Sequence, residues 1–320
     1  MARIGIVLAT YNGEKYLSEM LDSLVAQTRP ADFIVAVDDG SRDSTPDILN
    51  RYRDRLPLQL TVLPQNGGHR AAFSKALELA RPQLTPNDLV ALADQDDIWF
   101  PQKLEILEKE IETPEPDGRI RSLVFGDAQI IDGEGRVTHG SWRSFSKIEK
   151  KVSIKQQIAG INNVTGCLSL FRASLLPRIL PIPEGVTVHD RWIAMIADKY
   201  GKTYALDTPV AQYRIHGENA VGGAEGPCMS RTLELQVQWI TTLLEHRERL
   251  ALDKDEIAFA DDLLELTRAR LTKKWLGPSL PWIFRHRNEL FLKDSAPATL
   301  KRILFTSIGL PLARKIWNKE

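Results

Sequence analysis

Through the first half of the chain, short runs of aliphatic residues alternate with segments whose apolar positions recur at helical spacing. This alternation predicts strands joined by right-handed helical crossovers into a mostly parallel α/β sheet. Residues 4–8 read as the first strand. The next segment puts Leu17, Leu21, Leu24 and Val25 on one helical face and stops before Pro30, which cannot continue a helix. Residues 33–37 and 58–63 read as the second and third strands, 70–80 as a helix and 88–93 as the fourth strand. Ser44 or Thr45, with Pro46 and Asp47, is expected to start the helix between the second and third strands. Later come a helix from Pro101 to about Glu112, a strand beginning at 123–125 and a hairpin turn at Asp132-Gly133-Glu134-Gly135. An element at 162–171, a helix over 189–201 and a strand over 208–215 complete the expected core. A Gly-rich linker at 217–226 then leads to a long amphipathic helical region over 231–275. The expected division is a domain over 1–220 and a helical extension over 227–320.

Open α/β sheets hold ligands beyond the carboxyl ends of their strands. The segments that follow the four strands are Thr10-Tyr11-Asn12, Asp38-Asp39-Gly40-Ser41, Asn66-Gly67-Gly68 and Asp94-Gln95-Asp96-Asp97. One of them is explained as an ordinary turn, whereas four converging polar ends point to a site. In the last, carboxylates one residue apart can converge on a hard cation such as Mg²⁺ or Mn²⁺, which bridges and neutralises a diphosphate.

Composition narrows the function classes. Lys plus Arg equals Asp plus Glu at 42 each, so overall charge favours no nucleic-acid partner. From Leu271 onward, however, ten Lys/Arg face three Asp/Glu, so the end of the chain is basic. Only Cys167 and Cys228 are present, without Cys-x-x-Cys spacing, which excludes a disulfide framework and a thiolate zinc site and fits a reducing, cytoplasmic setting. The apolar run at 4–9 is too short for a secretory segment, and no run approaches the roughly 20 apolar residues of a membrane span.

The chain resembles the inverting family-two glycosyltransferases of GT-A fold, close to bacterial rhamnosyltransferase-like members. The resemblance covers about the first 220 residues and rests on Leu8-Ala9-Thr10-Tyr11-Asn12-Gly13, on Val37 to Thr45, on Asn66-Gly67-Gly68 and on Leu92 to Trp99. Further along it rests on Asn163-Val164-Thr165-Gly166-Cys167, His189-Asp190-Arg191-Trp192 and Tyr213 to Asn219. The resemblance implies that Thr10, Tyr11 and Asp39 line the base pocket of a nucleotide-sugar donor, dTDP- or UDP-linked. Carboxylate and aromatic chemistry suits a uracil or thymine edge and face. It implies that Arg70 contacts base or phosphate, and that Asp94 and Asp96, completed by His216, hold Mn²⁺ or Mg²⁺ on the diphosphate. It further implies that Asp190 is the general base for a glycan or lipid-linked saccharide acceptor, and that Asp127 borders the acceptor. Each assignment has a plain structural alternative: a turn for Asp38, a helix cap for Asp190, a hairpin brace for Asp127, a solvated charge for Arg191. Arg214 is a further candidate as a phosphate clamp. Rhamnose from a thymidine diphosphate donor is the sugar that the resemblance suggests.

The basic end interleaves Trp282, Ile283, Phe284, Arg285, Arg287, Lys301, Arg302, Ile303, Leu304 and Phe305, then Arg314, Lys315, Ile316 and Trp317. Such a segment suits either the anionic inner face of the plasma membrane or packing on the core with its cations in water. Two rival functions share the sheet: a nucleotidyltransferase that makes nucleotide sugars, and a non-catalytic nucleotide- or sugar-binding protein. The first needs a basic Gly-rich phosphate loop where this chain has Thr10-Tyr11-Asn12-Gly13-Glu14, and the second has no use for both the Asp94/Asp96 pair and Asp190.

Overall fold

The computed structural model describes residues 2–217, 228–273, 275–291 and 296–312. Glu218, Asn219, all of the expected linker but Gly217, and the tail residues Arg314, Lys315, Ile316 and Trp317 lie outside the described residues. The chain divides into two compact units.

The first unit comprises Met1–Lys151, Asn163–Pro183 and Val188–Ala224. Its strands are β1 (Ile4–Thr10), β2 (Phe33–Asp38), β3 (Leu58–Val62), β4 (Leu89–Ala93), β5 (Ile98–Trp99), β6 (Arg121–Ile131), β7 (Val137–His139), β8 (Ser169–Arg172) and β9 (Lys202–Arg214). They form one sheet in the order β3-β2-β1-β4-β8-β6-β9-β5, with β7 paired to β6. β1 to β4 are mutually parallel, β8 is antiparallel to both neighbours, and β6 and β9 are parallel. The sequence IGIVLAT of β1 is buried almost throughout, as both faces of a parallel strand require. Helices α1 (Leu17–Val25), α2 (Thr45–Arg51), α3 (His69–Ala80) and α4 (Lys103–Ile111) connect these strands, and α1 and α4 bury Leu17, Leu21, Leu104 and Leu107 in the main core. The short α5 (Trp142–Ser146) follows the β6–β7 hairpin.

Parallel register decides where chemistry can occur. Thr10 pairs with Asp38 and Leu8 with Ala93, so β1 and β2 end level, β4 stops two residues short, and Tyr11, Asp39 and the Asp94 loop reach one rim. The α2 start differs in detail from expectation: Ser44 is the N-cap without a side-chain bond, and Asp43 Oδ1 instead accepts from both the N–H and the hydroxyl of Thr45.

The second unit comprises Val152–Asn162, Glu184–Thr187 and Glu225–Glu320. It contains α6 (Ile154–Ile158), whereas α7 (Leu176–Ile179) and α8 (His189–Tyr200) belong to the first unit. The expected helical region over 231–275 is two helices, α9 (Met229–Glu245) and α10 (Lys254–Thr272). Asp253 breaks it by starting a new helix with a reciprocal cap to Glu256. Segment 152–162 groups here because the Trp239 indole N–H donates to Gln157 O and Gln236 Nε2 donates to Ala159 O. Helices α11 (Leu280–Arg285), α12 (Arg287–Leu290) and α13 (Ala296–Thr306) close the described chain.

Candidate active site

The rim is built by loops that tie one strand end to the next. Thr10 is buried and its hydroxyl donates to Asp38 Oδ1 at 2.9 Å, while Asp38 also accepts from the backbone N–H and hydroxyl of Ser41. Asp38 therefore fills the turn-holding role, and Thr10 braces it. Asp39 faces the third loop: its two oxygens accept the N–H groups of Gly67 and Gly68 at 2.9 and 2.7 Å. Gly40 adopts φ +78° with the backbone of Gln65 and Asn66 about 3.1 to 3.2 Å from where a Cβ would sit, so glycine is required there. Tyr11 is bound through its backbone, N–H to Gln95 Oε1 and C=O from Gln95 Nε2, which leaves its ring 42% exposed over the rim. Gly13 lets the Gln95 side chain approach, since an added Cβ would meet Oε1 at 2.3 Å.

The Asp94-Gln95-Asp96-Asp97 loop splits its acids between two surroundings. Asp96 Oδ2 lies 2.9 Å from His216 Nε2, and the His216 ring sits 5.0 Å from that of Tyr16. Asp94, half-buried, converges with buried Asp97 and Cys167, whose ligand atoms lie within 4.8 Å of one another. The expected trio of Asp94, Asp96 and His216 is thus placed as an Asp96–His216 pair beside an Asp94–Asp97–Cys167 cluster. Burial first, and then the charge of Asp96, pushes the pKa of Asp94 and Asp97 above the carboxylate range; Asp190 adds to the effect on Asp94. Burial likewise holds the Cys167 thiol well above its usual value.

Two internal cations face these acids. Lys103 is fully buried, donates to Cys167 O, and sits 3.3 Å from the centroid of the Trp99 ring; burial pushes its pKa down to about 7 against the opposing pull of Cys167, Asp97 and Asp94. Arg214, 1% exposed, ties the loop to its surroundings: its backbone N–H donates to Asp97 Oδ1, and its guanidinium donates to Asp96 O, Asp132 O and Glu19 Oε2. Its fork is turned to protein groups, so it acts as an internal brace rather than as a clamp presented to phosphate.

The oxygens of Asp94, Asp96 and Asp97 fit a hard divalent cation, and buried Asp97 Oδ2 has no hydrogen-bond partner among the described residues, a deficit that a cation would satisfy. A hard cation prefers oxygen to sulfur, so in this cluster Asp94 and Asp97 are the stronger candidate ligands and Cys167 the weaker.

Asp190 is the second residue of α8, whose N-cap is Val188 without a side-chain bond, so the carboxylate is not the helix cap. Its Oδ2 accepts the Gly166 N–H at 3.2 Å, and the same glycine lies against Leu92 of β4, two residues before Asp94. His189 is stacked on Phe73 at 3.9 Å and edge-on to His69 at 5.9 Å, and burial pushes it down to about 3. Burial also lowers Arg191, against the favourable charge of Asp190. Arg70, half-buried, donates to Ile182 O at 3.2 Å. Asp127 is buried and accepts from Ser141 Oγ, Arg143 N and Ala128 N, which makes it the brace of α5.

Sequence reasoning missed Lys103, Cys167 and the burial of Asp97. For Lys103 a signal existed in the helical spacing that puts it with Leu104 and Leu107; for Cys167 it lay in the Asn163-to-Cys167 motif, which gave no sign of its acid neighbours.

Comparison with known proteins bears on this geometry. The profile described as Glycosyl transferase family 2 matches residues 5–180. The uncharacterized glycosyltransferase alr2836 of Nostoc sp. is 29% identical over 223 residues, 68% of this chain and 66% of its own, so the match spans just under two thirds of that relative. The dTDP-rhamnosyl transferase RfbG of Shigella flexneri is 25% identical over 229 residues, 67% of this chain and 73% of its own. The crystal structure of S. aureus TarS 1-349 in complex with UDP-GlcNAc has a TM-score of 0.58 at 18% identity, covering 95% of this chain and 81% of that one. The mannosyltransferase PcManGT from Pyrobaculum calidifontis, in complex with GDP-Man and Mn²⁺, gives 0.52 at 20% identity over 99% of this chain and 88% of that one. At these identities the structural likeness establishes the GT-A-like fold. No helix among the described residues is long and apolar enough to cross a membrane.

Proposed function

Given that the chain belongs to glycosyl transferase family 2, we propose that it moves a sugar from a nucleotide diphosphate donor to a glycan or lipid-linked saccharide acceptor, with inversion at the anomeric carbon. The observation that carries the proposal is geometric: Asp190 accepts the Gly166 N–H, and the next residue, Cys167, lies with Asp94 and Asp97 in one cluster, so the base and the acid loop share one site. Asp39 and the exposed Tyr11 ring take the nucleobase by edge and face, Asp39 having lone pairs beyond the two that bind Gly67 and Gly68. Thr10 holds Asp38 so that this edge stays aligned, and Arg70, in the first turn of α3, would reach base or phosphate on leaving Ile182 O.

The acid loop would hold Mn²⁺ or Mg²⁺, through Asp94 and Asp97 on one side and the Asp96–His216 pair on the other. Such an ion, when bound, neutralises the charge gathering on the leaving diphosphate. Arg214 and Lys103 keep the loop from spreading under its own repulsion. On the acceptor side, Asp190 accepts the proton of the attacking hydroxyl as its oxygen bonds to the anomeric carbon and the bond to the diphosphate oxygen breaks on the opposite face. Rhamnose is the sugar favoured by the RfbG relative, described as a dTDP-rhamnosyl transferase.

The second unit supports attachment to an anionic membrane, where a lipid-linked acceptor resides. On α13, Leu300, Leu304 and Phe305 are exposed alongside exposed Lys301 and Arg302, while Ile303 is buried.

The test is a thermal-shift series with UDP, dTDP and GDP and their sugars, with and without Mn²⁺, because a ligand of the native state stabilises by mass action. One nucleotide should raise the midpoint, and more strongly with Mn²⁺. No response to any nucleotide would contradict the proposal.

A further inference from the structure

The first unit carries an aromatic strip that neither the donor nor the base assignment uses. Trp142 opens α5 and is fixed at both ends. The helix start is held by Ser141, which accepts from Ser144 N and donates to Asp127, and the indole N–H donates to Thr165 Oγ1 at 3.0 Å. The ring packs 4.6 Å from Tyr213 on its inner side and 6.2 Å from Phe145, nearly parallel at 28°, on its outer side. Phe145 in turn lies 4.5 Å from the exposed His139 of β7.

The strip has a direction. Its inner end, Tyr213, precedes Arg214, whose N–H donates to Asp97 Oδ1, and Thr165 immediately precedes Gly166, whose N–H donates to Asp190. At the outer end, Phe145 is 49% exposed. Core packing accounts for the partly buried Trp142 and Tyr213, whereas Phe145, held against Trp142 and His139, keeps about half of its surface open on the same strip.

Resting on the transferase reading above, we propose that Trp142 and Phe145 form a stacking shelf for the pyranose ring of a neutral saccharide acceptor. The apolar C–H face of the ring would lie on the two aromatic faces with one hydroxyl turned toward Asp190. Local charge supports a neutral ring over a phosphate-bearing polyol. The cation on the same helix, Arg143, is buried and turned inward, donating to Asp207 and to the carbonyls of Leu206 and Gly126. Trp142 has already used its one polar hydrogen on Thr165, so it offers apolar surface alone.

The experiment is saturation-transfer NMR of the full chain with methyl α-L-rhamnopyranoside, methyl β-D-glucopyranoside and methyl β-D-galactopyranoside, and with glycerol 3-phosphate as the charged polyol. At least one methyl pyranoside should bind the wild type. Phe145→Ala should weaken it by about tenfold and Phe145→Tyr should stay within about twofold, as loss and retention of one aromatic face imply. Phe145 is exposed, so both variants should retain the wild-type thermal midpoint. Binding of glycerol 3-phosphate in place of the glycosides, no glycoside binding at all, or equal affinity in Phe145→Ala would overturn the shelf. Failure of the transferase reading looks different: the wild type would release no nucleoside diphosphate from any donor whether or not a glycoside binds.

Discussion

His216 Nε2 stands 2.9 Å from Asp96 Oδ2 although 120 positions separate them in the chain. The contact exists because β9 ends beside the acid loop, where Arg214 N–H binds Asp97 and Arg214 Nε binds Asp96 O. An imidazole and a carboxylate in that relation can share a proton or share a cation. Asp96→Ala should therefore abolish the Mn²⁺-dependent part of nucleotide affinity while leaving the fold intact, and His216→Ala should reduce it by less. Calorimetric titration with and without Mn²⁺ distinguishes the outcomes, and undiminished metal dependence in Asp96→Ala would remove this loop from metal binding.

Lys103 should be the most costly single cation to lose. It is fully buried against Trp99 and Cys167 O and faces half-buried Asp94 and buried Asp97, so Lys103→Met removes the cation that stabilises their ionised forms. Removing one partner from such a cluster costs on the order of 3–5 kcal/mol. Urea unfolding should show that loss without metal, and a smaller one with saturating Mn²⁺, which would restore positive charge. An unchanged midpoint in metal-free buffer would show that Lys103 balances nothing.

His189 gives a pH dependence with a defined sign. Burial lowers its folded-state value to about 3 from the ordinary 6.5, so the stability it contributes is fully present above pH 6.5 and is lost as pH falls toward 3. Between pH 7 and pH 5 the loss should be about 2 kcal/mol. His189→Phe, which keeps the stack on Phe73, should flatten the stability profile over that interval by a similar amount. Parallel profiles for the two proteins would mean that the imidazole titrates normally.

The membrane reading concerns α13. Leu300→Glu together with Phe305→Glu puts charge on its exposed apolar positions and leaves buried Ile303 in place. Binding to vesicles of phosphatidylglycerol and phosphatidylcholine should fall sharply, while the wild type should bind less as salt rises. Equal, salt-insensitive sedimentation of both proteins would contradict attachment through this helix.

What could be read from the sequence was what is local. Strand runs at β1, β2 and β4 carry their own signal, and parallel pairing then puts their polar ends on one rim, so Thr10, Asp39 and Asp94 were found without knowing their contacts. The Asp253-to-Glu256 cap that divides α9 from α10 was also legible, as an acid three residues before a glutamate, but the apolar periodicity on either side outweighed it. What was illegible depends on distant pairing. Cys167 joins Asp94 and Asp97 only because β8 runs antiparallel beside β4, and Arg214 becomes a brace only because β9 returns to pair with β5. The family resemblance suggested Asp94, Asp96 and His216 as one set, whereas backbone geometry turned the successive acids to different neighbours.

The central claim, sugar transfer with Asp190 as the base, is tested most directly by comparing wild type with Asp190→Asn in nucleoside diphosphate release from a nucleotide sugar, with Mn²⁺ and a saccharide acceptor. Asparagine keeps an oxygen for the Gly166 N–H but has no carboxylate to take a proton. The account predicts unchanged stability, nearly unchanged donor affinity and an acceptor-dependent rate reduced by roughly 10²–10⁴-fold. Acceptor-dependent release at a near wild-type rate in Asp190→Asn, measured where the chemical step limits turnover, would contradict it.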